Sequence, residues 1–321
     1  MELKGKKGIN HPITRRTTLK RLLQISGGMA VSALGGLPLN GPGSVWAESA
    51  KKGFIVEGLG EKEGYSLKAL TRKVFDAAGG ISRFISKGDV VVVKPNISWA
   101  RRPDLAATTN PELMEGVIEL CQEAGAKKVR IADNTIHDAR RCFAITGAGA
   151  VAKKTGADLV HPRSSLMKEM NLRGHRLDVW PVFVPLVEAD KVINLPVAKH
   201  HSLSILTLGL KSWIGAVGGR RYLLHQDIHQ TIVDLAQFFK PTVTLIDATR
   251  VMTKNGPSGG SLSDVTIKNT LILSDDPVAA DARASMLFGH RPEDIGFIRL
   301  GQKQGLGTYD LKSLDQKKVT L

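Results

Sequence analysis

Four consecutive β-branched residues, Val90-Val91-Val92-Val93, stand between Gly88-Asp89 and Lys94-Pro95. A strand with one wet face alternates apolar and polar residues. An unbroken valine run needs cover on both faces, the environment of a buried parallel strand. Shorter apolar runs recur at Phe54 to Glu57, Val129 to Ala132, Leu159-Val160, Lys191 to Leu195, Val243 to Ile246 and Thr270 to Leu273. Helical spacing fills the intervals. Ser66 precedes Leu67, Leu70, Val74 and Ala78, and Asn110-Pro111 opens a helix through Ala124 that Gly125 closes. Gly149 to Lys154, Ser202 to Trp213, Asp227 to Phe239 and Asp276-Pro277 through Phe288 read as further helices. The alternation predicts an α/β fold with a mostly parallel sheet and helices on both faces. The stretch 162–185 is less regular, with a turn at Arg173-Gly174-His175, and marks a candidate boundary between two lobes with a cleft.

Ahead of this pattern lies Thr14-Arg15-Arg16-Thr17-Thr18-Leu19-Lys20, followed by an apolar, small-residue run to Leu39 and by Val45-Trp46-Ala47. The segment resembles a twin-arginine export signal cleaved after Ala47. Its apolar run, broken by glycines and Pro38, lacks the roughly 20 strongly apolar residues of an anchor, so no stable transmembrane span is expected after cleavage. The expected division is a signal at 1–47 and an α/β domain at 48–321. The resemblance implies the twin-arginine translocase as a partner, passage in the folded state, and a periplasmic or other extracytoplasmic location.

Residues 1–47 hold seven of the 45 basic and one of the 30 acidic residues, which leaves 38 against 29 and an excess of nine positive charges. That excess suits small anions. Aromatics are 5% and no basic run is interleaved with stacking rings, which argues against nucleic acid. The two cysteines, Cys121 and Cys142, lack C-x-x-C spacing and cannot ligate a four-cysteine iron–sulfur cluster, so none is expected. Whether they pair, and what cofactor is bound, stays open.

Ligands of open α/β sheets sit beyond the carboxyl ends of the strands. The apolar runs lead there into Lys94-Pro95-Asn96, Asp133-Asn134, His161, Lys199-His200-His201, Asp247 and Ser274-Asp275-Asp276. Lys94, Asn96, Asp133, Asn134, Lys199 and Asp247 are the ligand-binding candidates. Asp276 also serves as a helix cap before Pro277, and His161-Pro162 is structural.

The segment from Lys199 to His229 is the densest in chemistry, with four of the nine histidines in 31 residues. Lys211 stands in an apolar surround, where desolvation favours the neutral amine. His200, Lys211 and His225 are the catalytic candidates. Gly215, Gly218 and Gly219 allow backbone N–H groups to approach an anion, with Arg220 and Arg221 adding charge. His225 and His229, at i and i+4, have the spacing of metal ligands, without an acidic third partner nearby. Asn255 to Gly260 is a turn-rich loop matching no nucleotide-binding pattern, and no serine elbow, zinc-protease helix or kinase signature occurs.

Five ordered motifs carry a family resemblance: Val91 to Asn96, Asn194 to His200, Thr207 to Lys211, Lys240-Pro241 with Ile246-Asp247, and Asp275 to Asp281. Over about residues 88–290 the chain resembles the domain-of-unknown-function 362 family. Many relatives carry ferredoxin-type cysteine motifs, which are missing here, and Ser212 stands where relatives usually have an asparagine. A second resemblance, to lactate racemase-like proteins, implies that His200 or His201, Lys211 and His225 surround a nickel-pincer cofactor.

The expected function is an exported enzyme acting on a small anionic substrate or cofactor. Lys94, Lys199 and Lys211 would bind the anion and His200 or His225 would serve as acid or base. Asp133 and Asp247 would orient those groups or hold a divalent cation. The alternatives are a non-catalytic ligand- or cofactor-binding module and an accessory protein of a membrane redox system. An enzyme calls for a pocket histidine whose second nitrogen is fixed by a carboxylate or amide. A binder calls for lysines and backbone amides alone.

Overall fold

The computed structural model describes residues 53–61 and 64–321. The expected signal, with Arg15, Arg16 and the cleavage point after Ala47, lies outside the described residues. In chain order the main elements are β1 (Phe54–Leu59), α1 (Leu67–Ala77), β2 (Val90–Pro95), α2 (Pro111–Glu123), β3 (Lys128–Ala132), α3 (Ala139–Ile145), α4 (Ala148–Thr155) and β4 (Asp158–Val160). There follow β5 (Met167–Asn171), β6 (Val179–Phe183), the single turn α5 (Pro185–Glu188), β7 (Lys191–Leu195), β8 (Val197–His201) and β9 (Ile205–Thr207). The chain closes with α6 (Ile228–Phe239), β10 (Val243–Met252), β11 (Val265–Ser274), α7 (Pro277–Met286), α8 (Gly296–Lys303) and β12 (Asp315–Thr320).

The main sheet runs β12-β1-β11-β10-β7-β2-β3-β4, with β8 paired to β10 and β9 to β8. Strands β10, β7, β2, β3 and β4 are mutually parallel, whereas β11 runs antiparallel to both β10 and β1. The α/β fold with a mostly parallel sheet is therefore present, with an antiparallel flank. Strands β5 and β6 form a separate hairpin across the irregular stretch near residue 173.

The valine run occupies the centre, between β3 and β7, and Val91, Val92 and Val93 are all sealed from solvent. Alternate residues face opposite ways. Val91, Val93, Ile131, Ile193 and Leu245 pack into a core with α1 and α2, whose apolar stripes include Leu70, Val74, Leu113 and Val117. Lys94, Asn194 and Thr244 have the other parity and share a register, Lys94 opposite Asn194 and Asn194 opposite Thr244. They face the side where α7 packs on β10 and β11.

Helix starts follow the capping signals. Asn110 accepts the Glu112 N–H ahead of Pro111, and Asp276 accepts the Ala279 N–H ahead of Pro277. Pro196 splits what would be one long strand. It has no N–H for the ladder, its carbonyl takes the Asp247 N–H at 2.8 Å, and the chain re-enters the sheet as β8.

One expected element is different. Ser202 to Trp213 forms β9 and a 3₁₀ turn at Lys211–Ala216 instead of a helix.

Candidate functional site

Parallel pairing of β2 with β3 places Val93 opposite Ile131, so the residues that leave the two strands meet on one rim. Lys94 Nζ donates to Asp133 Oδ1 at 2.9 Å and to the Pro95 carbonyl at 3.2 Å, and both side chains have no exposed surface. Asp133 Oδ2 accepts from the Ile97 N–H and the Ser98 hydroxyl, each at 3.0 Å. Charge and hydrogen-bonding capacity are both answered. The Gly215 backbone lies directly over this pair, where any side chain would run into Asp133 Oδ1. Its carbonyl takes the Asn134 N–H at 2.7 Å, and Asn134 Nδ2 donates to the Val217 carbonyl at 2.8 Å. Lys94, Asp133 and Asn134 thus seat the turn that begins at Lys211.

Asn96 and Asp247 are occupied with the backbone around the Pro196 break. Asn96 Oδ1 accepts the Val197 N–H at 2.9 Å. Asp247 accepts the Asn110 N–H at 2.8 Å through one oxygen and Thr249 through the other.

On β8, the period of two sorts the Lys-His-His run. Lys199 and His201 are buried on one side, and half-buried His200 faces away, its Nδ1 accepting the Gly256 N–H at 3.2 Å. Lys199 Nζ donates to the carbonyls of Ala107 at 2.6 Å and Pro257 at 2.9 Å. Burial, then the charge on Lys211 and that on Lys94, bring its ammonium down to about 7, with Asp133 opposing. His201 Nδ1 accepts the N–H groups of Leu203 at 3.1 Å and Ser204 at 3.3 Å, which leaves the proton on Nε2. Burial and the Lys211 charge push His201 down to about 2, so it is neutral at any ordinary pH.

The loop that delivers Lys211 is fixed by tertiary bonds, which is why the helical pattern fails there. The Gly209 N–H donates to Asp281 Oδ1 at 2.6 Å and the Leu210 N–H to Asp281 Oδ2 at 2.9 Å. The Gly209 carbonyl accepts from Asn194 Nδ2 at 2.9 Å. A side chain at 209 would meet Asp281 at 2.8 Å and Thr244 at 2.9 Å, so only glycine fits. Burial pushes the Asp281 carboxyl up to about 8 against the pull of the two N–H donors.

Lys211 itself is 7% exposed. Among the described residues its ammonium has neither a hydrogen-bond partner nor a carboxylate, and burial brings it down to about 7. The next two residues share the condition, for Ser212 Oγ and Trp213 Nε1 are buried without partners among the described residues.

His225 ends a 3₁₀ turn (Arg221–His225) hung from the exit of β3, where the Arg221 guanidinium donates to the carbonyls of Asn134 and Thr135, both at 2.7 Å. His225 Nδ1 donates to the Arg221 carbonyl at 3.2 Å, which turns out the Nε2 lone pair. Its ring stacks on His201 with centroids 6.0 Å apart and planes at 12°. Burial and the Lys211 charge hold it below the usual imidazole range. His229 lies instead against Phe297 and beneath Gly296. The structure therefore pairs His225 with His201 rather than with His229, and no group of three His, Cys, Asp or Glu among the described residues is placed to hold a metal ion.

A nickel-pincer group at Lys211 would meet one imidazole lone pair, that of His225. His201 offers an N–H and His200 faces the Gly256 turn. These residues do not fit such a group.

The site is thus a buried cluster of unequal charges. Lys94 and Asp133 cancel, Lys199 rests on two carbonyls, Lys211 is unanswered, and two neutral imidazoles face each other with one donor and one acceptor. The strand-exit rule finds the lysines. It does not separate His201 from His200, although the i, i+2 spacing from Lys199 carries that signal. Asp281 and Asn194 are visible in the sequence only as motif letters.

One relative, a thylakoid-associated protein of Synechocystis sp., is 26% identical over 259 residues, covering 76% of this chain and 77% of its own. Two solved structures are similar at a lower level. The lactate racemase apoprotein of Thermoanaerobacterium thermosaccharolyticum has a TM-score of 0.43 and 15% identity over 73% of this chain. A Thermotoga maritima protein has a TM-score of 0.39 and 10% identity over 70% of this chain. The chain spans 56% and 59% of the lengths of those two structures. Residues 91–285, more than half of the chain and all of the residues of this cluster, match the model described as a domain of unknown function (DUF362), and the chain belongs to that family.

Proposed function

We propose that this protein is an exported enzyme that binds a small anion in the chamber formed by Lys199, Lys211, His201 and His225. The single observation that carries the reading is the unanswered ammonium of Lys211. An ammonium taken out of water without a partner costs several kcal/mol, so the fold either neutralises it or reserves it for a counter-charge. A bound carboxylate or phosphate oxygen supplies that charge, and a second ammonium in the same chamber strengthens the field. His201 contributes an N–H donor and His225 a lone pair, the two halves of acid–base work on one bound molecule.

Titration of the full chain with acetate, pyruvate and inorganic phosphate, followed by calorimetry and thermal shift, tests this reading. At least one anion should bind saturably and raise the melting temperature, and Lys211→Met should abolish the effect. Binding by none of them, or equal binding by the variant, would overturn it.

A non-catalytic binding module is the second reading, and a specific feature favours it. Both imidazoles are oriented by backbone groups, with no carboxylate hydrogen-bonded to either among the described residues. Turnover of a bound anion separates the two. Export rests on the sequence motif, and replacing Arg15 and Arg16 by lysine should hold the protein in the cytoplasm on fractionation.

A further inference from the structure

We infer that Lys211 is a nucleophilic amine that condenses with the carbonyl carbon of a 2-oxo acid, the acid's carboxylate being held by Lys199, to give a protonated Schiff base. The inference rests on the anion-binding reading above and adds to it the substrate class and a covalent step.

Three buried lysines share the chamber, and their surroundings separate them. The Lys94 amine is committed to the Asp133 carboxylate and the Pro95 carbonyl. The Lys199 amine points its hydrogens at two carbonyls. Lys211 has no partner among the described residues, and its backbone is pinned just upstream by Asp281 and Asn194. It is a stiffly presented amine with its nitrogen uncommitted. Burial brings it down to about 7, which favours the neutral, nucleophilic amine.

The groups around it match the steps. The amine lone pair attacks the carbonyl carbon, the C–N bond forms and the C=O π pair moves to oxygen. His201 Nε2–H donates a hydrogen bond to that oxygen. His225 Nε2 takes one proton from the Lys211 ammonium before the attack and, after it, a second from the newly bonded nitrogen, passing each in turn to the oxygen, which leaves as water when the C=N bond forms. Ammonium and carbonyl give iminium and water, with no oxidant, reductant or metal consumed. The iminium keeps one positive charge in a chamber that already holds Lys199. A carboxylate on the adjacent carbon offsets it, which selects a 2-oxo acid over a neutral ketone.

Pyruvate with cyanoborohydride, followed by intact and tandem mass spectrometry of the full chain, is the test. The expected result is one adduct per chain with the mass of pyruvate less one oxygen atom, carried on Lys211 and missing from Lys211→Met and Lys211→Arg. Arginine keeps the charge without the nucleophilic amine, and a cooperative urea transition retained by either variant excludes a folding defect as the cause of its missing adduct. Calorimetry without reductant runs in parallel. Pyruvate binding that leaves no adduct, or an adduct confined to surface lysines, overturns the covalent step and leaves the anion site standing. Failure of every anion to bind overturns both.

Discussion

Lys94 and Lys211 are both buried on the same side of one sheet rim, and their surroundings could hardly differ more. Lys94 was given a carboxylate at 2.9 Å, and that carboxylate has two further donors of its own. Lys211, which opens the turn seated over that same pair, has nothing among the described residues. A fold that gives one buried ammonium a carboxylate and a carbonyl, beneath the turn that begins at the other, is not short of means. The difference teaches that the first lysine belongs to the architecture, while the second is the one the proposed function gives to a ligand.

Removing each lysine should therefore change stability in opposite directions. Lys94→Met leaves Asp133 buried without its counter-charge, and urea unfolding should show a loss of about 4 kcal/mol. Lys211→Met removes a burial penalty and should gain roughly 3 kcal/mol near pH 6. The sign with pH follows from the direction of the shift. The folded state holds Lys211 at about 7 while the unfolded chain keeps the ordinary lysine value, so the wild-type penalty is complete below pH 7. It is relieved as pH rises between those two values. The advantage of the variant should accordingly shrink by about 1.4 kcal/mol per pH unit from pH 7 upward. A destabilised Lys211→Met protein, or an advantage that grows with pH, would erase the contrast between the two lysines.

How much of this was legible in the sequence depends on what kind of force set each feature. The valine run announced a central parallel strand because burial on both faces is a property of the run itself. Asn110, Asp276 and their prolines announced helix starts because capping is local. The strand exits named Lys94, Asp133 and Lys199, since topology alone brings such residues to one rim. Ser202 to Trp213 misled because its spacing is helical, while the bonds that decide its path come from Asp281 and Asn194, 72 and 15 residues from Gly209. His200 and His201 could not be ranked without knowing that 197–201 is a strand and which side of it Lys199 takes. Local patterns were readable, and long-range bonds that override them were not.

The clamp behind Lys211 offers a finer cut. Asp281→Asn exchanges one acceptor oxygen for an amide N–H and leaves one of the two backbone donors at Gly209 and Leu210 unpaired. The cost should be about 2 kcal/mol by urea unfolding, reduced because burial already works against the carboxylate, whose pKa it pushes to about 8. Anion affinity should fall with it, since the loop that aims Lys211 is no longer held from both sides. Unchanged affinity would detach Lys211 from the ligand.

The smallest effect expected is also the most discriminating, because it compares neighbours in the chain. His200→Ala removes an acceptor for the Gly256 N–H on the half-buried side of β8 and should cost less than about 1 kcal/mol. Anion titration should be the same as wild type within about twofold, a difference of only a few tenths of a kcal/mol. His201→Ala removes a donor on the Lys199 side and should weaken the anion by about tenfold, or 1.4 kcal/mol. It also unstacks His225, so the pH profile of binding should move with it. If the titrations came out the other way round, the chamber would have to be relocated to the opposite side of β8, and Lys199 with its two carbonyl partners would return to being a strut.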